Sequence, residues 1–250
     1  MGIGDDMMWR AEAYHLHKQT GNKYAPYNRK RDKIEPVSKE IFRDVAYISA
    51  QGEHLDTLPN DGERWYKGRA YAPKTAPYEF DKDTEAWYTS LELASPYVVI
   101  GAHTKPPGKI VFGENKRWPH WQEFVQEFDY MNLVYCQPPG ADPIPNVTTV
   151  WSDTFVKAMR VIASAELVVT QEGAVHHAAA NLGVKSITLY GSATAPTGTG
   201  YPTAVPITRE RPCNADGLGH NEGKRICEHC QSAMQSITVK EVTECVMNHL

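Results

Sequence analysis

Two short apolar runs, Glu166–Thr170 ("ELVVT") and Ser186–Tyr190 ("SITLY"), flank a stretch that reads as a single helix. Runs of this length rich in β-branched residues fit buried strands. Two strands joined through one helix pair in parallel, by a right-handed crossover. The same alternation appears upstream. Tyr97–Gly101 ("YVVIG") and Asn132–Cys136 ("NLVYC") read as strands, the latter closed by Pro138, Pro139 and Gly140. "HWQEFVQEFDY" from His120 reads as a helix, and so does Asp153–Ala165, with Phe155, Met159 and Ile162 at helical spacing. Strands alternating with helices predict an α/β class and a doubly wound parallel sheet, which gathers ligands at the carboxyl ends of its strands. Gln171–Val175, just past "ELVVT", stands at that edge.

The junction itself has a particular build. Gly173 opens the helix, and Ala178, Ala179 and Leu182 fall on its inward face before Gly183 ends it. A helix starting directly after a strand presents free amides, here those of Gly173, Ala174 and Val175, and these with the helix dipole favour an anion such as phosphate. His176 and His177 are expected off the packed face, where one could donate to a phosphate or a sugar hydroxyl. The plainer alternative stays open: glycine easing a strand-to-helix turn, and histidines touching only solvent.

The first half is less patterned. Met7, Ala11 and Tyr14 share a face of a helix expected from Asp6 to about Gln19, with Asp5 or Asp6 as its cap. "VAYIS" at Val45 is the one strand candidate before Glu63. Glu63–Pro96 is rich in aromatics (Trp65, Tyr66, Tyr71, Tyr78, Trp87, Tyr88), which suit either an acceptor cleft or a core. Neither an internal repeat nor a low-complexity segment is evident.

Composition narrows the function classes. A chain of 250 residues with 41% hydrophobic content can bury a substantial core. Its apolar runs fall well short of the ~18 residues of a membrane span, and the opening residues lack a basic segment followed by an apolar one, so a cytoplasmic protein is expected. A net charge of −4 and a pI near 6.2 argue against a general nucleic-acid backbone binder. Asn28–Lys33 is a local basic exception, read as a solvated loop. The five cysteines suggest reduced thiols or a metal site. Cys227 and Cys230 form a CxxC, with Cys213 before it, Cys245 after it and His220 between; a structural zinc held by Cys213, Cys227 and Cys230 is the alternative to packed thiols.

The stretch from Thr154 to Gly200 resembles the C-terminal domain of glycosyltransferase family 9, the ADP-heptose:lipopolysaccharide heptosyltransferase group. In that family an acidic residue, small residues and a histidine begin the helix that holds the sugar-nucleotide diphosphate, and Glu172, Gly173, Ala174 and His177 stand at that spacing. "ENKRWPHWQEF" resembles the family's lysine segment, with Lys116 as the phosphate-contacting lysine between Asn115 and Arg117. "GIGDDMM" resembles its glycine–aspartate turn, with Asp5 at the place of the catalytic base. The resemblance implies two Rossmann-like lobes of the GT-B type: a reduced acceptor-binding lobe over 1–96, and a donor-binding lobe over 97–250 with a closing C-terminal helix. Only Met1 to Ile3 precede Gly4, where the family has a strand, and the first half is short, so lipopolysaccharide is not implied as acceptor.

The resemblance further implies an inverting transfer from a nucleotide-diphosphate sugar, ADP-linked by preference, to an acceptor hydroxyl on a glycan or a modified nucleic-acid base. Asp5 would take the hydroxyl proton, its alternative being a helix cap. Lys116, with Arg117 and the amides of Gly173–Val175, would stabilise the departing diphosphate. Glu172 would bind sugar hydroxyls or cap its helix. Thr194 and Thr197, in the loop after "SITLY", would touch ribose or phosphate. No Asp-x-Asp pair stands where a catalytic metal is expected, so no cofactor is called for. Rival readings are a sugar-nucleotide epimerase, or a non-catalytic nucleotide-sugar or nucleic-acid binding module using Arg29–Lys33 and the aromatics from Trp65 to Tyr88.

Overall fold

The computed structural model describes residues 2–28, 33–34, 39–43, 45–56, 73–102, 111–137, 143–209, 213 and 226–250. The chain opens with α1 (Ile3–Thr20), β1 (Tyr24–Asn28), β2 (Lys33–Ile34), a 3-10 turn at Lys39–Phe42, β3 (Glu53–Asp56) and α2 (Lys82–Thr89). It continues with β4 (Val98–Gly101), α3 (Val111–Glu114), α4 (Trp121–Glu127), β5 (Leu133–Gln137), β6 (Thr148–Trp151), α5 (Phe155–Ala163) and β7 (Leu167–Gln171). The remaining elements are α6 (Ala174–Asn181), β8 (Ser186–Tyr190), α7 (Pro196–Thr199), β9 (Ala204–Thr208), α8 (Glu228–Gln235) and α9 (Val239–Met247).

β4 to β9 form a six-stranded sheet in the order β6-β5-β4-β7-β8-β9, every pair parallel. In order of entry that is 3-2-1-4-5-6, the doubly wound order, and its direction reverses between β4 and β7. Both faces are covered, which is why the central strands read as unbroken apolar runs. Val98, Ile100, Leu167, Val169, Ile187 and Leu189 point to one side, against Trp118, Phe124, Phe128, Met234 and Val246. Tyr97, Val99, Val134 and Val168 point to the other, against Met159, Ile162, Ala178 and Ala179.

The central strands and the helices between them lie where the pattern predicts. The two edge strands went unread. Thr148–Trp151 is half polar, and Ala204–Thr208 carries Pro206, which an edge strand tolerates because one side of its backbone makes no ladder. α2 was also missed inside the aromatic stretch; Asp81 caps it, accepting from the Thr84 amide at 2.7 Å.

The N-terminal unit is a three-stranded sheet, β2-β1-β3, rather than the single strand expected at Val45. Val45–Ser49 makes turns, with only Ile48 bridging to Tyr24. Pro26 inside β1 hid the strand from a pattern search. α1 begins at Ile3, three residues ahead of the expected start, because Asp5 works from the first turn: its Oδ2 accepts from the Gly2 amide at 2.8 Å. Gly21, at φ 76°, ends the helix and donates to the His17 carbonyl at 2.7 Å.

The expected boundary at 96 falls just before β4, yet the two units share a core. Met7 and Ile41 pack among Val99, Met159, Ala178 and Ala179 beneath the large sheet. Trp9 and Ala13, on another side of α1, pack with Tyr24 and Tyr47 of the small one. Arg10 is buried between, donating to the Ala76 and Pro77 carbonyls at 3.4 and 2.7 Å, and burial lowers its pKa.

Gly101 ends β4 at the point where the sheet order reverses. A Cβ there would meet Thr170 Oγ1 at 2.2 Å and Val175 Cγ1 at 2.9 Å. Gly101→Ala is therefore expected to destabilise the fold by about 1–3 kcal/mol, read as a lower denaturation midpoint in urea with an unchanged slope.

Candidate functional site

The reversal between β4 and β7 leaves a crevice at their carboxyl ends. Thr170 Oγ1 donates to the Gly101 carbonyl at 3.1 Å, and Gln171 Nε2 to the Ala102 carbonyl at 3.2 Å, so the two strand ends are fastened together. The other end of the Gln171 amide accepts from the Trp118 backbone amide at 2.9 Å. Trp118 is fully buried and donates from its indole to the Ile237 carbonyl at 2.8 Å. One glutamine thus pins the 115–118 turn to the floor of the crevice.

That turn delivers Lys116. Its ammonium forms an ion pair with the Glu172 carboxylate, which sits just past β7 and is almost wholly buried. Thr194 Oγ1 donates to Glu172 Oε2 at 3.3 Å, and His177 Nε2 lies 3.5 Å from Oε1. Burial alone would raise the Glu172 pKa, but Lys116 and His177 together outweigh it and hold the carboxyl well below its usual 4.5. His177 is itself fixed by the Tyr201 hydroxyl, 2.9 Å from Nδ1.

Both histidines are buried, at 0% and 2% exposure, rather than lying off the packed face. α6 is covered on both flanks, by α1 and by the segment from β8 through Tyr201, and these enclose both histidines. His176 Nε2 donates to the Thr199 carbonyl at 2.9 Å, which leaves Nδ1 to accept from the Thr188 hydroxyl at 2.9 Å. Burial, reinforced by His177, lowers the His176 pKa to about 3. It is a neutral strut.

Gly173 adopts extended backbone and opens onto space: a Cβ there would meet only the Gln171 carbonyl, at 4.0 Å. No described residue accepts a hydrogen bond from the amides of Gly173, Ala174 or Val175. Three donors at a helix start therefore face the crevice beside the Lys116 ammonium, an arrangement suited to an anion. Ser192, fully buried after β8, has a hydroxyl without a hydrogen-bond partner among the described residues.

Asp5 arrives from the opposite side. Gly4 is pressed so close to the His177 ring that a Cβ would lie 2.5 Å from Cδ2, which brings the start of α1 against the start of α6. The structure thus gathers Lys116, Glu172, Gly173, Ala174, Val175, His177 and Thr194, with Asp5 one residue from the contact. Others turn elsewhere. Asn115, fully buried, accepts the Cys227 amide at 2.8 Å. Arg117 is exposed and pairs with Glu114 at 3.8 Å. Thr197 is exposed on α7.

The aromatics that fall within the described residues pack rather than line a cleft. Tyr78 lies under Arg10 at 4.8 Å, Trp87 under Lys157 at 5.1 Å and Tyr88 under Arg160 at 3.9 Å, holding α2 and its approach to α1 and α5. Trp65, Tyr66, Tyr71, His220 and the Arg29–Asp32 part of the basic run lie outside the described residues. Cys213, Cys227 and His229 come together, while Cys245 pairs with His249 on α9. Sequence reasoning missed Gln171 as a fastener, Ser192 and Tyr201; the available signal was a polar residue closing an otherwise apolar strand.

Residues 151–237 match glycosyltransferase family 9 (heptosyltransferase). Over these residues the chain is similar to glycosyltransferase family 9. The family match runs from β6 through α8 and takes in the whole Glu172–Thr194 side of the crevice. No curated protein sequence matches the chain significantly. A family 9 glycosyl transferase from Veillonella parvula is similar in structure at 14% identity and a TM-score of 0.63, covering 99% of this chain and 94% of that one. TibC, an iron-containing dodecameric glycosyltransferase of enterotoxigenic E. coli, aligns at 12% identity and a TM-score of 0.62, over 99% of this chain and 74% of its own. E. coli ADP-heptose lps heptosyltransferase II aligns at 19% identity and a TM-score of 0.48, over 76% and 55%. The chain spans about half the length of the E. coli heptosyltransferases, 52% and 55%. The likenesses to the Veillonella parvula enzyme and to TibC show the fold, an α/β GT-B type.

Two outcomes follow from the geometry. Lys116→Met leaves a buried carboxylate unpaired and is expected to cost about 3–5 kcal/mol, most of it recovered in Lys116→Met with Glu172→Gln. The second concerns pH. His176 titrates near 6.5 unfolded and about 3 folded, so the unfolded chain holds the extra proton between those values. Its contribution is full above pH 6.5 and declines on acidification. Glu172, depressed in the fold, adds a loss only below about 4.5. Urea titrations from pH 6.5 to 4.5 should show His176→Gln removing a slope of up to about 1.4 kcal/mol per pH unit.

Proposed function

We propose that the chain is an inverting glycosyltransferase that moves a sugar from a nucleotide-diphosphate donor to an acceptor hydroxyl. The observation that carries this reading is the set of amides at Gly173, Ala174 and Val175, without acceptors among the described residues, beside the Lys116 ammonium at the reversal of a doubly wound sheet. The family match over the same residues supports it.

In this reading the diphosphate lies against the amino end of α6. Glu172 would repel it if bare, but Lys116 neutralises that charge and brings a cation to the phosphate oxygens. As the anomeric bond breaks, negative charge builds on the leaving diphosphate, and fixed amides and an ammonium stabilise it without rearranging. No metal is needed for that step. Asp5 stands across from α6 and takes the proton of the attacking hydroxyl, its cap bond to Gly2 fixing its direction. Thr194 and Ser192 reach ribose or phosphate. An ADP-linked sugar is the preferred donor; the structurally similar E. coli heptosyltransferase WaaC holds ADP. The acceptor is a hydroxyl compound, a glycan before a nucleic-acid base.

Asp5→Asn separates base from cap, since asparagine still accepts from the Gly2 amide. It is expected to lower transfer by at least about 100-fold while ADP still raises the melting temperature in a thermal-shift assay. Gly173→Val should abolish that rise and leave the unliganded melting temperature within a few degrees. If no nucleoside diphosphate stabilises the wild-type protein at millimolar concentration, the proposal fails.

A further inference from the structure

We propose that Cys213, Cys227, Cys230 and His229 bind a tetrahedral transition-metal ion, zinc or iron, and that this metal knuckle positions Lys116 through Asn115. The ligand atoms of Cys213, Cys227 and His229 all lie within 4.8 Å of one another. The Cys213 and Cys227 sulfurs are 3.9 Å apart. That is far too long for a disulfide, whose sulfurs stand about 2.05 Å apart. It does fit the edge of a tetrahedron built on metal–sulfur bonds of about 2.3 Å, which is about 3.8 Å. Cys230, buried in the first turn of α8 and interacting with both thiols, is the proposed fourth ligand. Three thiolates and an imidazole suit zinc and iron alike.

The knuckle sits at the start of α8, and its reach extends inward. The Cys227 backbone amide donates to Asn115 Oδ1 at 2.8 Å, and Asn115 is fully buried. Lys116 is the next residue, and its ammonium meets Glu172. A metal that fixes Cys227 therefore fixes the far end of a chain of contacts that ends at the anion site. α8 is held on its other side by Met234, whose sulfur would lie 2.7 Å from a Cβ on Gly191, so it cannot drift towards β8 to compensate. Cys213 and Cys227 are 14 residues apart, and closing that loop removes chain entropy from the unfolded state. The positioning step rests on the donor-site reading above; the metal site does not.

The test begins with zinc and iron content, measured by plasma mass spectrometry on protein purified without chelator. About one equivalent per chain is expected, lost in Cys213→Ser and Cys227→Ser and retained in Cys245→Ser. Cobalt(II) added to the stripped wild-type protein should give a thiolate charge-transfer band. Absence of native metal together with failure to bind cobalt(II) overturns the site. ADP titration then tests the coupling. Metal-stripped wild type and metal-replete Asn115→Ala should both bind ADP about ten-fold more weakly. If they bind like the loaded wild type while Lys116→Ala weakens ADP, the positioning role is overturned and the donor reading stands. If loaded wild type fails to bind any nucleoside diphosphate, the donor reading falls and takes the coupling with it, while the metal content stands on its own.

Discussion

A lysine and a glutamate placed almost out of water set the character of the crevice. Lys116 and Glu172 expose only 11% and 5% of their side chains. Removing two such ions from water costs several kcal/mol each, and their mutual attraction offsets this only when the remaining polar atoms are also satisfied. Here Thr194 and His177 complete the carboxylate, while Gln171 holds the turn that carries the lysine. A pair so supported is poor evidence of stability for its own sake, since an apolar replacement would pack as well. Its value is directional: it keeps a cation beside the start of α6 and cancels the carboxylate's charge there.

The small N-terminal unit depends on the same place. α1 is buried on more than one side, with Met7 in one core and Trp9 and Ala13 in another, so it lacks the single apolar stripe of a surface helix. Without α6 beneath it, Met7 and the Gly4 surface would face water. The close approach of Gly4 to the His177 ring joins the start of α1 to the start of α6, with Asp5 one residue from the contact.

What was legible in the sequence follows from which signals are local. The four central strands declared themselves because burial on both faces demands apolar residues at every position. The edge strands β6 and β9 did not, because one exposed side admits threonine and Pro206. The glycine-opened helix, Lys116 and Glu172 were readable from spacing and resemblance, but their ion pair joins residues from separate segments and has no local signature. The burial of His176 and His177 was misjudged for the same reason: Thr188, Thr199 and Tyr201 come from beyond the helix, and only the tertiary path closes over it. A helical wheel places a residue on a face without saying how many neighbours that face has.

Asn115 shows how a local motif can hide a distant dependence. Read in sequence, Asn115, Lys116 and Arg117 form one polar cluster aimed at one ligand. In the fold they diverge: Arg117 pairs with Glu114 at the surface, Lys116 enters the crevice, and Asn115 turns back to the Cys227 amide. The lysine is thus held from three sides, by Trp118 on Gln171, by Glu172 at its tip and by Asn115 on α8. A flexible four-carbon side chain is a diffuse charge when its backbone is loose. Fixing the backbone on both flanks makes it a point charge at a set position, the condition under which electrostatic stabilisation of a leaving group avoids reorganising at the moment of reaction. The Cys227 amide and the strand-end glutamine hold that backbone from opposite directions.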